Sequence, residues 1–382
     1  MPCKVTPMRL DSLTALRFFA AFSVFLHHCV PLGITFSDYM FNLNLGWTVS
    51  FFFVLSGFVL SLSRDNRLHT RRDRSNFIIE RFFRIWPLHL TCALIYFLTI
   101  PITGQFERYY LFFTLQHAWV PAYSTAFFMN AVSWSISVEL FFYIMFPFIF
   151  FTRVRNMVLF AMLWAAGVFS FMAVVSWHPQ WFSFSPEVPN LLESGVTEHS
   201  FFYFFPPVRL CEFIGGMLTY QVFKRVRLSD ASATIAQAAA LLLVLAYMVS
   251  SQTVIAFFYG IYPRVATDNF DNYGMYPLFC VFIWAFAYQD GLLARKVSHK
   301  YLVWLGEISF SFYMIHQIVI TNLHQNLQVG AYGFPLLWVV VAFAVSVGAS
   351  WLLHGGVEKP ALNFVKRRLY GARPVPPTAL AP

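Results

Sequence analysis

The sequence predicts an all-α integral membrane protein: a bundle of about ten transmembrane helices with both termini in the cytoplasm. Three observations predict it. The first is composition. Of 382 residues, 58% are hydrophobic and 11% charged, where soluble domains carry about 25% charged residues. The mean hydropathy is +0.61. The second is segment length. Apolar runs of about 20 residues recur along nearly the whole chain, each long enough to cross a bilayer as a helix. Lipid tolerates only helices and closed barrels, and barrel strands would alternate polar and apolar residues over about ten positions. These runs do not alternate. The third is charge asymmetry. With the spans at 12–31, 45–63, 87–104, 131–151, 157–177, 207–223, 231–250, 274–290, 302–324 and 334–354, all but Arg108, Arg209 and Arg264 of the 26 Lys and Arg fall on the cytoplasmic side. That is the positive-inside pattern, so the formal charge of +9 reads as topology and contact with membrane lipid. Nucleic acid is not implied.

The first span contains RFFAAFSVFLHH. Arg17 and His28 are eleven apart, within about 20° of three full turns, so they share a face about 16 Å apart. An imidazole in a site of low dielectric can act as a base near neutral pH. A bond from His28 to a carbonyl is the plainer alternative. The second span, FFFVLSGFVLS, sets Ser56 and Gly57 mid-helix, for close packing or for clearance around a ligand. The third is entered through ERFFRIWPLHL. Arg81 and Arg84 are helical neighbours at its cytoplasmic mouth, and planar guanidinium groups suit phosphates. Pro87 fits the first turn of that span. The stretch 105–130 has room for a short re-entrant or interfacial helix.

The fourth span carries WSISVEL. A carboxylate inside the bilayer costs about 2.5–3.5 kcal/mol on insertion scales, so Glu139 needs a partner or a proton. It shares a face with Ser135 and with Tyr143. Ser133 and Ser137 are ordinary residues for a span, able to bond back to carbonyls. The ninth span, GEISFSFYMIHQ, repeats Ser309, Tyr313 and His316 at four and three, a single polar face that also suits helix–helix glue.

The five cysteines (3, 29, 92, 211 and 280) avoid the outer loops, so no disulfide framework is expected. No metal-ligand spacing occurs. Lys4 and Arg9 before an apolar run mimic a signal peptide, but Arg17 interrupts the run, and a retained first span is expected. One membrane domain over 1–370 is followed by a Pro-rich tail, 371–382, expected to be disordered. The outer loops 178–206 and 251–273 are shorter than the roughly 50 residues of a small domain.

In this order the motifs resemble acyltransferase family 3 of integral membrane proteins. Arg17 and His28 match its pattern of a basic residue, ten residues, then His. Arg81-Phe-Phe-Arg84-Ile-Trp-Pro87 matches its Arg-x-x-Arg element. Trp134-Ser-Ile-Ser-Val-Glu139 matches its W-S-L-S-x-E, and Gly306, Ser309, Tyr313 and His316 match its late element. FFFVLSGFVLS and Glu358-Lys-Pro360 are similar as well, so the resemblance runs from about Leu10 to Pro360. Many members carry a second acid where this chain has Leu140.

The resemblance implies transfer of an acyl group, usually acetyl, from cytoplasmic acyl-coenzyme A as co-substrate to a hydroxyl of an extracytoplasmic or lipid-linked carbohydrate. No bound cofactor or metal is implied, and the location is the inner (plasma) membrane. On this reading Arg17, Arg81 and Arg84 hold the donor's phosphates. His28 removes the acceptor proton or takes the acyl group itself. Glu139 orients or balances the imidazolium, as the acid of a hydrolase triad does. Tyr313 and His316 help bind the acceptor or the oxyanion, and Ser137 is a further supporting residue. The competing function is a transporter or flippase of an anionic or glycan substrate; no internal repeat or pair of broken spans favours it. A scaffold without catalysis is a third reading. Acceptor identity, acyl length and oligomeric state stay open at this level.

Overall fold

Helices lie over all ten expected segments in the computed structural model, which describes residues 10–34, 45–65, 68, 70–102, 106–150, 153–182, 198–259, 274–328 and 333–371. They are α1 (Asp11–His27), α2 (Thr48–Arg64), α3 (Arg71–Thr99), α4 (Trp134–Phe150), α5 (Val154–Trp177), α6 (Pro206–Arg225), α7 (Asp230–Tyr259), α8 (Tyr276–Phe286), α9 (Lys300–Glu307), α10 (Ser309–Leu327) and α11 (Pro335–Leu353). A π-helical turn, His354–Glu358, joins α11 to α12 (Lys359–Tyr370). No strand occurs among the described residues. The Pro-rich tail from 372 lies outside them, as do Lys4, Arg9, Arg67, Arg264 and Arg373.

Five stretches are long and apolar enough to cross a membrane by themselves: Arg71–Thr99, Ala131–Phe150, Val154–Trp177, Asp230–Ser251 and Pro335–Tyr370. The bent pair α9–α10 makes a sixth. The chain is therefore a helical, multi-pass membrane protein, with five or six helices meeting that criterion where the sequence led us to expect ten. The reasons are local. Helices α1 and α2 have 17 residues each and α8 has 11, short of the roughly 20 that a straight crossing takes. Helix α6 carries Arg209, Glu212, Lys224 and Arg225.

Two boundaries differ from expectation for identifiable reasons. Helix α3 starts at Arg71, because Thr70 and Asp73 form a reciprocal capping box (3.1 and 2.9 Å). Pro87 therefore lies inside a long helix rather than in its first turn, and its carbonyl takes the Thr91 hydroxyl (2.9 Å). The segment 302–324 is not one straight span. It bends by 65° between α9 and α10, where Ser309 donates to the Gly306 carbonyl (2.7 Å). Gly306 permits the bend to press on α1: a Cβ there would stand 1.9 Å from the Thr14 carbonyl oxygen. The stretch 105–130 holds short helices, Phe106–Phe113, His117–Trp119 and Tyr123–Ala126.

Small residues let α2 and α6 cross backbone to backbone. A Cβ on Gly57 would meet the Phe213 carbonyl at 2.0 Å, and one on Gly216 the Val54 carbonyl at 1.9 Å. Gly57 thus serves packing, the first of the two roles that the sequence allowed it. Around this crossing the core is aromatic: Phe142 stacks on Phe213 (4.9 Å) and edges Phe53 (5.1 Å). Polar side chains tie helices and loops together across the apolar core. Gln237 of α7 donates to the Tyr288 carbonyl (2.9 Å) and accepts from the Leu293 and Ala294 amides (both 3.1 Å).

Candidate active site

Two adjoining cavities share Val49 and Tyr313 as common wall. Their composition follows from which helix faces meet.

The basic cavity, about 630 Å³, lies between α1, α2, α3, α4 and α10. It gathers Arg17, Arg84, Ser56, Ser135, Glu139 and Tyr143. The i, i+4 face read from the sequence is present here. Tyr143 donates to one oxygen of Glu139 (2.6 Å), and Ser56 of α2 donates to the same oxygen (3.2 Å). Arg84 forms a buried ion pair with Glu358, presented by the π-turn. The other oxygen of Glu358 accepts from Ser311 (2.7 Å) and faces His354 Nδ1 (3.0 Å). Arg81 is buried with its guanidinium over Phe77 (5.7 Å) and does not line this cavity. Beside it Glu80 takes Arg64 (2.7 Å) and Tyr370 (3.1 Å), with Lys366 at 3.8 Å. The C-terminal helix α12 thereby returns to the Arg-rich end of α3.

The aromatic cavity, about 880 Å³, is lined by Tyr123, Phe127, Trp134, Tyr203, Gln317 and both His27 and His28 among others. His28 caps α1, just past its last turn. Its Nδ1 lies 2.9 Å from Nε2 of His316, whose own Nδ1 lies 3.2 Å from the Phe312 carbonyl. A carbonyl only accepts, so the proton of neutral His316 sits on Nδ1. Its Nε2 then accepts from His28 Nδ1–H. The lone pair of His28 is thereby placed on Nε2, on a residue that borders the cavity. No hydrogen bond joins Glu139 to His28: the partner of His28 is His316, and the partners of Glu139 are Tyr143 and Ser56.

Ser137 faces away from both cavities. It donates to the Leu115 carbonyl (2.7 Å) and accepts from the Ala118 amide (3.4 Å), anchoring the short-helix segment. Ser133 does similar work against His117 (3.1 Å). The three residues of the late polar face part company: Ser309 holds the bend, Tyr313 meets Ser135 (2.9 Å), and His316 meets His28. Among the described residues no cluster of metal-ligating side chains occurs.

Reasoning from sequence missed two charged groups. Glu358 entered only through a resemblance, although an acid directly after an apolar span was a signal. Arg209 appeared only as an exception to the charge asymmetry. It pairs with Glu212 one turn on (3.2 Å), donates to Ser50 (3.3 Å) and lies over Phe53 and Trp134 (5.2 and 5.7 Å), one from each cavity's wall. The i, i+3 spacing of Arg209 and Glu212 in an apolar helix was the visible clue.

The family model described as an acyltransferase domain matches residues 10–355. That is nearly the whole chain and takes in every motif above except Glu358-Lys-Pro360. The chain belongs to acyltransferase family 3. Over its full length it is 30% identical to the acyltransferase MdmB of Streptomyces mycarofaciens, across 410 aligned positions and 99% of that protein. No solved structure matches the chain. As a family 3 acyltransferase it carries out acyl transfer.

Proposed function

We propose that this family 3 acyltransferase moves an acyl group, most simply acetyl, from cytoplasmic acyl-coenzyme A to a carbohydrate hydroxyl on the far side of the plasma membrane, with both of its termini in the cytoplasm. The observation that carries the reading is the pairing of cavities. A cavity with Arg17 and Arg84 adjoins one with His28, across a wall that includes Val49 and Tyr313. Arg81 and Arg84, with Arg17, attract the donor phosphates, and the pantetheine arm runs along the face that joins Arg17 to His28. Glu139, held by Tyr143 and Ser56, lies on that route beside Arg17 and accepts from the arm's amide groups, a different task from balancing an imidazolium. His28 Nε2 takes the acceptor's proton as its oxygen attacks the thioester carbon. The carbon–sulfur bond breaks, the ester forms, and the proton passes from His28 to the leaving thiolate. The aromatic walls offer flat apolar faces to a sugar ring.

Thiol release from labelled acetyl-coenzyme A by the purified protein tests this. His28→Ala is expected to lower turnover by about 10²–10⁴-fold, the usual worth of a positioned base, with donor binding kept. Full turnover in that variant would remove the mechanism. Uptake of an intact substrate without thioester loss would remove the reaction.

A further inference from the structure

The thioester carbonyl becomes an oxyanion when the hydroxyl attacks, and such charge calls for hydrogen-bond donors already in place. The groups first expected to supply them have no proton to give. His316 donates its Nδ1–H to Phe312 and accepts at Nε2. Tyr313 has a single hydroxyl proton, directed to Ser135 (2.9 Å) or the Val132 carbonyl (3.2 Å), and Ser135 itself donates to Val132 (2.9 Å).

Gln317 is different. It stands one turn after Tyr313 on α10, borders the aromatic cavity together with His28, and is half-buried. Its Oε1 accepts from the Val132 amide at 3.1 Å. A backbone N–H can only donate, so this bond fixes which way the amide is turned. The Nε2 group, with two protons, is left at the cavity side with no hydrogen-bond partner among the described residues. The wall that holds Gln317 is stiff: Asn130 donates to the Met314 carbonyl (2.8 Å), a second tie between the 130–133 turn and α10. We infer that Gln317 is a further catalytic residue, donating from Nε2 to the carbonyl oxygen of the acyl group as His28 removes the proton of the attacking hydroxyl.

This inference rests on the acyl-thioester reading of the cavities, and its test separates the two. Thiol release from acetyl-coenzyme A is measured with octyl glucoside and water as probe acceptors. Gln317→Glu keeps the oxygen that Val132 needs but removes the donor; Gln317→Met keeps the volume without a charge. Both are expected to lose about 10²–10³-fold in kcat, with the KM for acetyl-coenzyme A unchanged within about twofold. Thermal unfolding is followed for both variants. Full kcat in a folded variant, or a raised KM at full kcat, overturns the inference while leaving the reaction standing. Collapse of the fold in both also overturns it, since Gln317 would then serve only to clamp the 130–133 turn. Absence of His28-dependent thiol release from the unaltered protein sinks the acyl-thioester reading, and the inference with it.

Discussion

The basic and aromatic cavities share a wall and follow opposite rules. In the basic cavity charge meets charge or hydroxyl: Arg84 has Glu358, and Glu139 has Tyr143 and Ser56. In the aromatic cavity polar groups are held from behind and left bare in front. His28 is bonded at Nδ1 and Gln317 at Oε1, while His28 Nε2 and Gln317 Nε2 carry no hydrogen bond to another described residue. The difference is instructive. A buried charge with no partner is too costly in a low-dielectric interior, so the charges of the basic cavity are held by a counter-charge or by hydroxyls. A neutral imidazole or amide costs far less to leave half-satisfied, and that is where reactive chemistry can wait.

The comparison can be broken most forcefully at Glu358. Glu358→Gln should destabilise the protein by about 3–5 kcal/mol, because Arg84 is then buried without its counter-charge. Replacing both, Arg84→Met with Glu358→Leu, should recover most of that loss while raising the KM for acyl-coenzyme A. Thermal unfolding and donor titration of the three proteins decide. Normal donor affinity in the double variant would show that Arg84 is there for Glu358 alone.

His316→Ala sharpens the other side. Without the Nε2 acceptor, His28 no longer holds its proton on Nδ1. Turnover should fall on the order of 10–100-fold, part of what a positioned base contributes, at unchanged KM for the donor, with a lowered unfolding temperature from the cavity the buried imidazole leaves. Unaltered kcat would mean that the tautomer is set elsewhere.

Away from both cavities, Gly216→Ala drives a methyl into the Val54 carbonyl and should cost about 1–3 kcal/mol, with kcat intact in the folded fraction. The smallest effect is expected at Ser137→Ala, about 1 kcal/mol for a lost hydrogen bond. A tenfold loss of turnover in a fully folded Ser137→Ala protein would move that serine from the scaffold into the site.

Much of the site was legible because it obeys helical periodicity. Ser135, Glu139 and Tyr143 come together on the wall of one cavity through i, i+4 spacing alone. The spans were less legible. Helices α1, α2 and α8 are apolar enough to be noticed but stop short, α3 begins well before its apolar run because Thr70 and Asp73 cap it, and Gly306 allows a bend that hydropathy does not register. Gln317 was passed over because, mid-helix and next to His316, it adds one more polar residue to a stretch already read as polar, and Glu358 because it was read only as the close of a span.

By itself the amino-acid sequence determined the helical, membrane-embedded class, the family, and which side chains lipid would force to find partners. Those follow from local composition and from spacing within single helices. Only the tertiary structure decided who those partners are: His316 for His28, Tyr143 and Ser56 for Glu139, and Glu358 for Arg84. Each pairing except that of Tyr143 joins residues far apart in the chain, and their meeting depends on crossing angles and glycine contacts between helices, which no single helix encodes.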